Sequence, residues 1–205
     1  MKYHLILSAA LLFIFQCEPL IAKTLLFGDS LTAIYGNSYR NLVDNNSRIE
    51  YVSGSGLINN RKKDWLVFIN NADLREYDTI IISLGTNDFV KYNSVASEAY
   101  YRRIFILISE IQKQNSLAMI IWLAPPHLKN RRHEKYLVNT RHIIKHCANL
   151  LGVKYIDVNQ PDILGINWQS VIQGQQVRTD DGIHITALGG DRIIERLVKS
   201  LNKGY

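Results

Sequence analysis

Two short stretches near opposite ends of the chain carry side chains that together could perform nucleophilic chemistry. Asp181 precedes His184 by three residues, a spacing that lets one turn present a carboxylate beside an imidazole. The carboxylate would accept a hydrogen bond from one ring nitrogen and leave the other free to take a proton from a hydroxyl group. Ser30, which follows Gly28 and Asp29, is the candidate hydroxyl. These side chains predict a Ser-His-Asp triad.

Three further groups could donate hydrogen bonds to a negatively charged oxygen. Ser30 lies between a predicted strand and a predicted helix, so its N–H would lie at the positive end of a helix dipole. Gly56 would offer an N–H with no side chain in the way, and Asn87 a side-chain amide. Together they predict a three-donor oxyanion hole. Each also has a simpler interpretation, as a helix N-cap or as a residue of a turn.

The elements that must position these groups follow from the alternation of apolar runs with segments of helical periodicity. This pattern predicts β-α units around a parallel sheet. The predicted strands are residues 24–27, 49–52, 79–84, 119–124 and 154–158. The predicted helices are residues 31–44, 63–71, 95–114, 131–151 and 187–201. The third and fourth strands are almost continuously apolar, as is typical of strands covered on both faces.

The topology brings the candidate residues to one place. In an open parallel sheet, ligands bind beyond the carboxyl ends of the strands. Residues 28–30, 54–56 and 85–88 follow the first, second and third predicted strands, so all three lie at that edge. The loop that carries Asp181 and His184 precedes the last helix and can return to the same edge. We therefore expect one composite site.

These stretches resemble the four sequence blocks of the SGNH (GDSL) hydrolase superfamily, in their order and approximate spacing. The blocks are Gly28-Asp29-Ser30-Leu31, Ser55-Gly56, Gly85-Thr86-Asn87-Asp88 and Asp181-Gly182-Ile183-His184. The resemblance covers almost all of the chain after residue 22. It implies a flavodoxin-like three-layer α/β/α sandwich, here with a five-stranded parallel sheet.

The resemblance also implies roles for individual residues. Ser30 would be the nucleophile, His184 its base and Asp181 the partner of the base. The oxyanion hole would consist of the Ser30 N–H, Gly56 and Asn87, with Gly54 as the alternative glycine. No metal and no organic cofactor is implied. A narrower similarity, to exported bacterial SGNH proteins, rests on Asp64-Trp65, Trp122, Pro125-Pro126, Arg178 and Thr186.

The beginning of the chain predicts export. Lys2 is followed by an apolar run and then by a small residue at Ala22, which is typical of a secretory signal. The apolar run is shorter than the roughly 20 residues of a membrane-spanning helix. We predict a signal peptide over residues 1–22, one SGNH hydrolase domain over residues 23–205, and a periplasmic or secreted protein. Acylation at Cys17 is the alternative, although Phe15-Gln16 does not suit that processing.

The charge of the chain and its remaining reactive residues indicate which kinds of ligand it could bind. The chain has 24 Lys and Arg against 18 Asp and Glu, but the excess is spread out, so nucleic-acid binding is not predicted. Residues 129–135 predict a solvated helix start, with peripheral contact to an anionic envelope left open. His142, His146 and Cys147 lack a third placed metal ligand, so they predict packing or surface positions. Arg178 could bind a substrate oxygen or form a surface salt bridge.

The sequence thus predicts an exported serine esterase acting on short acyl esters, above all acetyl esters, of envelope glycans. An acylated glycan or another small ester would be its substrate. Residues 159–180, the longest predicted irregular segment, are rich in amide, aromatic and guanidinium groups suited to sugars. An O-acyltransferase, a lipase or lysophospholipase, and a non-catalytic envelope-binding module are the alternatives.

Overall fold

Five parallel strands form the central sheet of the computed structural model, which describes residues 23–202. The strands are β1 Thr24–Gly28, β2 Arg48–Tyr51, β3 Thr79–Ser83, β4 Met119–Leu123 and β5 Lys154–Ile156. Their order across the sheet is β2-β1-β3-β4-β5. The five predicted strands and the predicted parallel sheet are confirmed, whereas the predicted signal peptide lies outside the described residues.

Five helices cover both faces of the sheet. They are α1 Ser30–Leu42, α2 Trp65–Asn71, α3 Val95–Gln114, α4 Arg131–Leu150 and α5 Ala187–Asn202. Helices α1 and α5 pack on one face, and α2, α3 and α4 pack on the other. The predicted three-layer α/β/α sandwich is therefore confirmed. Among residues 23–202, no helix is long and apolar enough to cross a membrane.

Side chains of the central strands alternate between two apolar cores. On β1, Leu25 and Phe27 point towards the α2, α3 and α4 layer, whereas Leu26 points towards α1 and α5. On β4, Trp122 and Leu123 divide in the same way. Because successive residues of a strand face opposite sides, a strand covered on both sides must be apolar throughout. This explains the continuous apolar runs in the sequence.

A short antiparallel hairpin replaces part of the predicted irregular segment 159–180. Its strands are β6 Val171–Ile172 and β7 Gln175–Gln176. Ile172 is buried in the core formed with α1 and α5. Each strand has only two residues, too few to show a period of two, so the sequence pattern did not predict it.

Candidate active site

The nucleophile candidate lies where β1 meets α1. A Cβ atom on Gly28 would lie 1.9 Å from the carbonyl oxygen of Ser83, so the close approach of β1 to β3 requires glycine at this position. Asp29 is the N-cap of α1, and its Oδ1 accepts a hydrogen bond from the N–H of Leu31 at 3.0 Å. Since Asp29 takes the capping role, the Ser30 hydroxyl at the first helical position remains available for chemistry.

A tight turn presents the acid and the base of the predicted triad. An antiparallel bridge between Arg178 and Ile185 closes the turn at its base. Within the turn, Asp181 Oδ1 accepts hydrogen bonds from Thr179 Oγ1 at 2.7 Å and from the N–H groups of Ile183 and His184 at 2.8 and 2.9 Å. We name residues 178–185 the catalytic turn. These bonds leave Asp181 Oδ2 directed at the imidazole.

The three predicted triad residues are brought together across the cleft. The Ser30 Oγ lies 2.8 Å from His184 Nε2, and His184 Nδ1 lies 2.6 Å from Asp181 Oδ2. Both distances are those of good hydrogen bonds. The serine and the imidazole are therefore within proton-transfer distance before any substrate binds.

The electrostatics of Asp181 match an ionised partner for the imidazole. Its partial burial raises the pKa of the carboxyl group, but the hydrogen bonds from His184, Ile183 and Thr179 outweigh burial. The net effect holds the pKa of Asp181 well below its usual range. A carboxylate that stays charged fixes the imidazole tautomer and stabilises the imidazolium formed when His184 takes a proton.

Asp29 illustrates the opposite effect behind the nucleophile. Complete burial raises the pKa of Asp29 to about 7, and the hydrogen bonds from Leu31 and Thr86 offset burial only in part. The charge of Asp88 raises it further, whereas that of His184 lowers it. Burial therefore dominates at Asp29 and raises its pKa, whereas hydrogen bonds dominate at Asp181 and lower its pKa.

The Ser30 N–H and Asn87 are placed as donors for an oxyanion. Within residues 23–202, the Ser30 N–H has no acceptor. Asn87 Nδ2 donates to the carbonyl oxygen of Ser55 at 2.8 Å, which orients the amide and leaves its second N–H for a ligand. The loop after β2 thereby positions a group that follows β3.

The predicted role of Gly56 is not the arrangement found in the structure. The Gly56 N–H donates to the carbonyl oxygen of Asn59 at 3.0 Å, whereas the Gly54 N–H has no acceptor within the described residues. A Cβ atom on Gly56 would lie 2.3 Å from Asp88 Oδ1, so glycine makes room for that buried carboxylate. Asp88 in turn accepts from the N–H groups of residues 57–59. Of the two candidate glycines, only Gly54 therefore has an N–H without an acceptor within the described residues.

We expect replacement of Asn87 by alanine to lower kcat by about 10²–10³-fold with a smaller change in KM, because one donor to the transition state is lost. Steady-state hydrolysis of p-nitrophenyl acetate measures both constants. Asn71→Ala, at an exposed amide near the end of α2, is the matched control and should leave both unchanged. A change in KM alone would identify Asn87 as a substrate-binding residue instead.

Arg178 was predicted either to bind a substrate oxygen or to form a surface salt bridge, and the structure shows neither arrangement. It is 0% exposed, so it reaches no surface salt bridge and does not line an open cleft. Its backbone closes the catalytic turn while its side chain points into the interior. The position next to the turn was visible in the sequence, but burial depends on elements far away in the chain that pack around it.

His142 and His146 project from α4 as exposed side chains, and His146 lies 6.0 Å from the ring of Tyr101. Cys147 is buried in the core between α4 and the sheet. No group of three potential metal ligands occurs among residues 23–202. His142 and His146 thus occupy surface positions and Cys147 a packing position, as the sequence predicted.

Residues 129–135 border the site on two sides, which the sequence did not reveal. The Lys129 N–H donates to the carbonyl oxygen of Gly182 in the catalytic turn at 3.0 Å. The Lys129 ammonium also lies 5.1 Å from the ring centroid of Trp168. At the other end, the ring of His133 lies 4.6 Å from that of Phe89, two residues after Asn87. We name this exposed basic segment the rim.

Several solved structures of esterases and lipases share the fold. The carbohydrate acetylesterase Est24 from Sinorhizobium meliloti is 17% identical, with 90% of this chain and 100% of that chain covered and a TM-score of 0.62. The aryl esterase of M. smegmatis is 16% identical, with 89% of this chain and 99% of that chain covered and a TM-score of 0.63. The lipase/acylhydrolase from Enterococcus faecalis is 17% identical, with 89% of this chain and 96% of that chain covered and a TM-score of 0.64. The fold is that of the SGNH (GDSL) hydrolase superfamily, which confirms the resemblance seen in the sequence.

Within this class the chain has a more specific assignment. The family model described as "Protein of unknown function (DUF459)" matches residues 23–200. The protein therefore belongs to the DUF459 family. No curated protein matches its sequence at a significant level.

Proposed function

We propose that the protein is a serine esterase, and the chain of hydrogen bonds from Ser30 through His184 to Asp181 carries this proposal. Ser30 Oγ attacks the ester carbonyl carbon while its proton passes to His184 Nε2. The carbonyl oxygen becomes an oxyanion between the Ser30 N–H, Asn87 and a glycine N–H of the loop after β2.

The second half of the reaction reverses these proton transfers. The tetrahedral intermediate collapses as His184 gives its proton to the departing alcohol, which leaves an acyl group on Ser30. Water then loses a proton to His184 and attacks the acyl carbon, and the second collapse returns the proton to Ser30. Asp181 remains charged throughout, because the turn that holds it supplies hydrogen bonds from Thr179 and Ile183.

We infer a short acyl group from the connections around the site. Only one residue separates β1 from α1, and the hairpin β6–β7 packs into the core. Neither of these two connections supplies a lid over the site, whereas an acyl tunnel for a fatty chain would require one. The carbohydrate acetylesterase and the aryl esterase of the same fold are named for compact acyl or aromatic esters, which supports this choice.

We infer an anionic glycan as the alcohol half of the ester. The exposed cations of the rim lie beside the catalytic turn, and Trp168 lies beneath the Lys129 ammonium. An aromatic face beside a cation suits a sugar ring that bears a carboxylate or phosphate group. The signal segment predicted over residues 1–22 would deliver the enzyme to the periplasm or the exterior, where such glycans occur.

We expect kcat/KM on p-nitrophenyl esters to fall steeply from acetate to octanoate, because a small acyl pocket excludes the longer chain. O-acetylated polysaccharide should release free acetate, which an enzymatic acetate assay measures. Higher kcat/KM on octanoate, without acetate release, would identify a lipase or lysophospholipase. Transfer of the acetyl group to an added glycan, detected by mass spectrometry, would identify an O-acyltransferase.

A further inference from the structure

Glu134, in the first turn of α4, is a carboxylate that holds the chain leading into its own helix. Its Oε1 lies 2.6 Å from His127 Nδ1, and its Oε2 accepts a hydrogen bond from the N–H of Leu128 at 2.9 Å. The guanidinium of Arg141, further along α4, also pairs with Oε1. The side chains of His127, Glu134 and Arg141 are 18%, 21% and 11% exposed, so the cluster is largely shielded from water. Asn159 holds the N–H of His127 at 2.8 Å, whereas Glu134 holds the next one, of Leu128.

The carboxyl group of Glu134 remains ionised in this cluster. Burial raises its pKa, but the hydrogen bonds from His127, Arg141 and Leu128 outweigh burial and hold the pKa below its usual range. A charged acceptor forms stronger hydrogen bonds than a neutral one. The backbone of residues 124–130, which we name the β4–α4 connection, is therefore held firmly at Leu128.

The β4–α4 connection lies directly against the catalytic turn. The N–H of Lys129 donates to the carbonyl oxygen of Gly182 at 3.0 Å. A Cβ atom on Gly182 would lie 2.6 Å from Lys129 Cβ, so the connection and the turn are in close contact. The N–H that Glu134 holds and the N–H that binds the turn thus belong to successive residues of one short segment.

This contact determines where the tip of the catalytic turn lies. Among the described residues, the bond from Lys129 is the only hydrogen bond that joins the backbone of residues 179–184 to another part of the chain. The tip carries His184, whose Nε2 lies 2.8 Å from Ser30 Oγ. The side chain of His184 is 37% exposed, so much of its surface is not packed against protein. Its alignment with Ser30 therefore depends on how firmly the turn itself is held.

We propose that Glu134 is a positioning residue, which holds the catalytic turn in place through the β4–α4 connection. It acts through the backbone and takes no part in bond making or proton transfer. Without its carboxylate, the N–H of Leu128 loses its acceptor, and the bond from Lys129 to Gly182 loses its support. The imidazole would then move away from Ser30. The inference rests on the proposed esterase, but one of its tests uses no substrate.

We expect Glu134→Ala to lower kcat for p-nitrophenyl acetate by about 10–100-fold and to change KM by less than about threefold, because a misplaced base slows the chemistry without weakening binding. Arg103→Met is the matched control, since it breaks another partly buried ion pair, with Asp64 at 2.9 Å. It should lower Tm but leave kcat unchanged. A change in KM alone, or equal losses of kcat in the two variants, would overturn the positioning role.

A second pair of variants remains decisive if Glu134→Ala fails to fold. Lys129 is exposed, and Lys129→Pro removes the N–H that binds Gly182. Lys129→Ala removes the same ammonium group but keeps the N–H. We therefore expect kcat of Lys129→Pro to be about 10–100-fold below that of Lys129→Ala. Equal kcat values for these two variants would contradict the proposal.

Crystal structures without substrate separate this proposal from the proposed esterase. In Glu134→Ala and Lys129→Pro, the distance from Ser30 Oγ to His184 Nε2 should grow from 2.8 Å to more than about 3.5 Å, beyond hydrogen bonding. In Arg103→Met it should be unchanged. The same distance in all three variants would refute the positioning role, whether or not the protein hydrolyses esters. Absence of turnover by the unaltered protein would instead refute the esterase and leave this distance as the test.

Discussion

Replacement of Ser30 by alanine should lower the rate of p-nitrophenyl acetate hydrolysis by about 10⁵–10⁶-fold, to the residual rate that binding and the oxyanion donors provide. The hydroxyl removed is the atom that would form the covalent bond to the acyl group. It lies 2.8 Å from His184 Nε2, the group that would take its proton. Steady-state kinetics, with a fluorophosphonate label located by mass spectrometry, tests the assignment.

The fold should survive this change. Asp29, not Ser30, caps α1, so the helix keeps its N-terminal hydrogen bond and Tm should change by no more than about 2 °C. Ser116→Ala, at an exposed serine before β4, is the matched control and should retain full activity. Ordinary turnover by the Ser30→Ala protein, or labelling at another residue, would refute Ser30 as the nucleophile and with it the proposed esterase.

Replacement of Asp181 by asparagine should lower kcat by about 10³–10⁴-fold, because the imidazole loses its charged partner and its correct tautomer. An asparagine carbonyl oxygen can still accept the hydrogen bonds from Thr179, Ile183 and His184, so the catalytic turn should persist. The expected loss is therefore one of electrostatics and tautomer, not of folding. An unchanged Tm with a large loss in kcat would show that the electrostatics and the tautomer, and not the folding, are affected.

Asp180 provides an adjacent and nearly identical control. Its side chain is exposed and makes no hydrogen bond to the described residues. Asp180→Asn should therefore change kcat by no more than about twofold. Equal losses from the two substitutions, or a larger loss from Asp180→Asn, would show that the acid of the triad has been assigned to the wrong residue.

The parts of the fold that the sequence predicted well are those with a strong local pattern. The strands β3 and β4 are continuous apolar runs, and α3 and α4 are long enough to repeat a helical period several times. The hairpin β6–β7 was missed because its strands are too short to carry any period. Burial of Ile172 against α1 and α5 stabilises it, and that packing is long-range.

The candidate site divides in the same way. The spacing of Asp181 and His184 predicted their pairing because both lie on one local turn. The sequence could not show that the Gly56 N–H binds Asn59, or that the small size of Gly56 serves the approach of Asp88 from another loop. A glycine that makes room for a neighbour and a glycine that exposes its N–H look alike in a sequence.

What the sequence by itself determined are the features that depend on local chemistry: the strands and helices, and the residue types of the triad. Only the tertiary structure decided which N–H groups stay free, how the rim borders the site, and that Arg178 is buried without a partner. The physical reason is that hydrogen-bond partnership and burial depend on groups far apart in the chain. Their proximity is created only when the sheet and its two helical layers pack together.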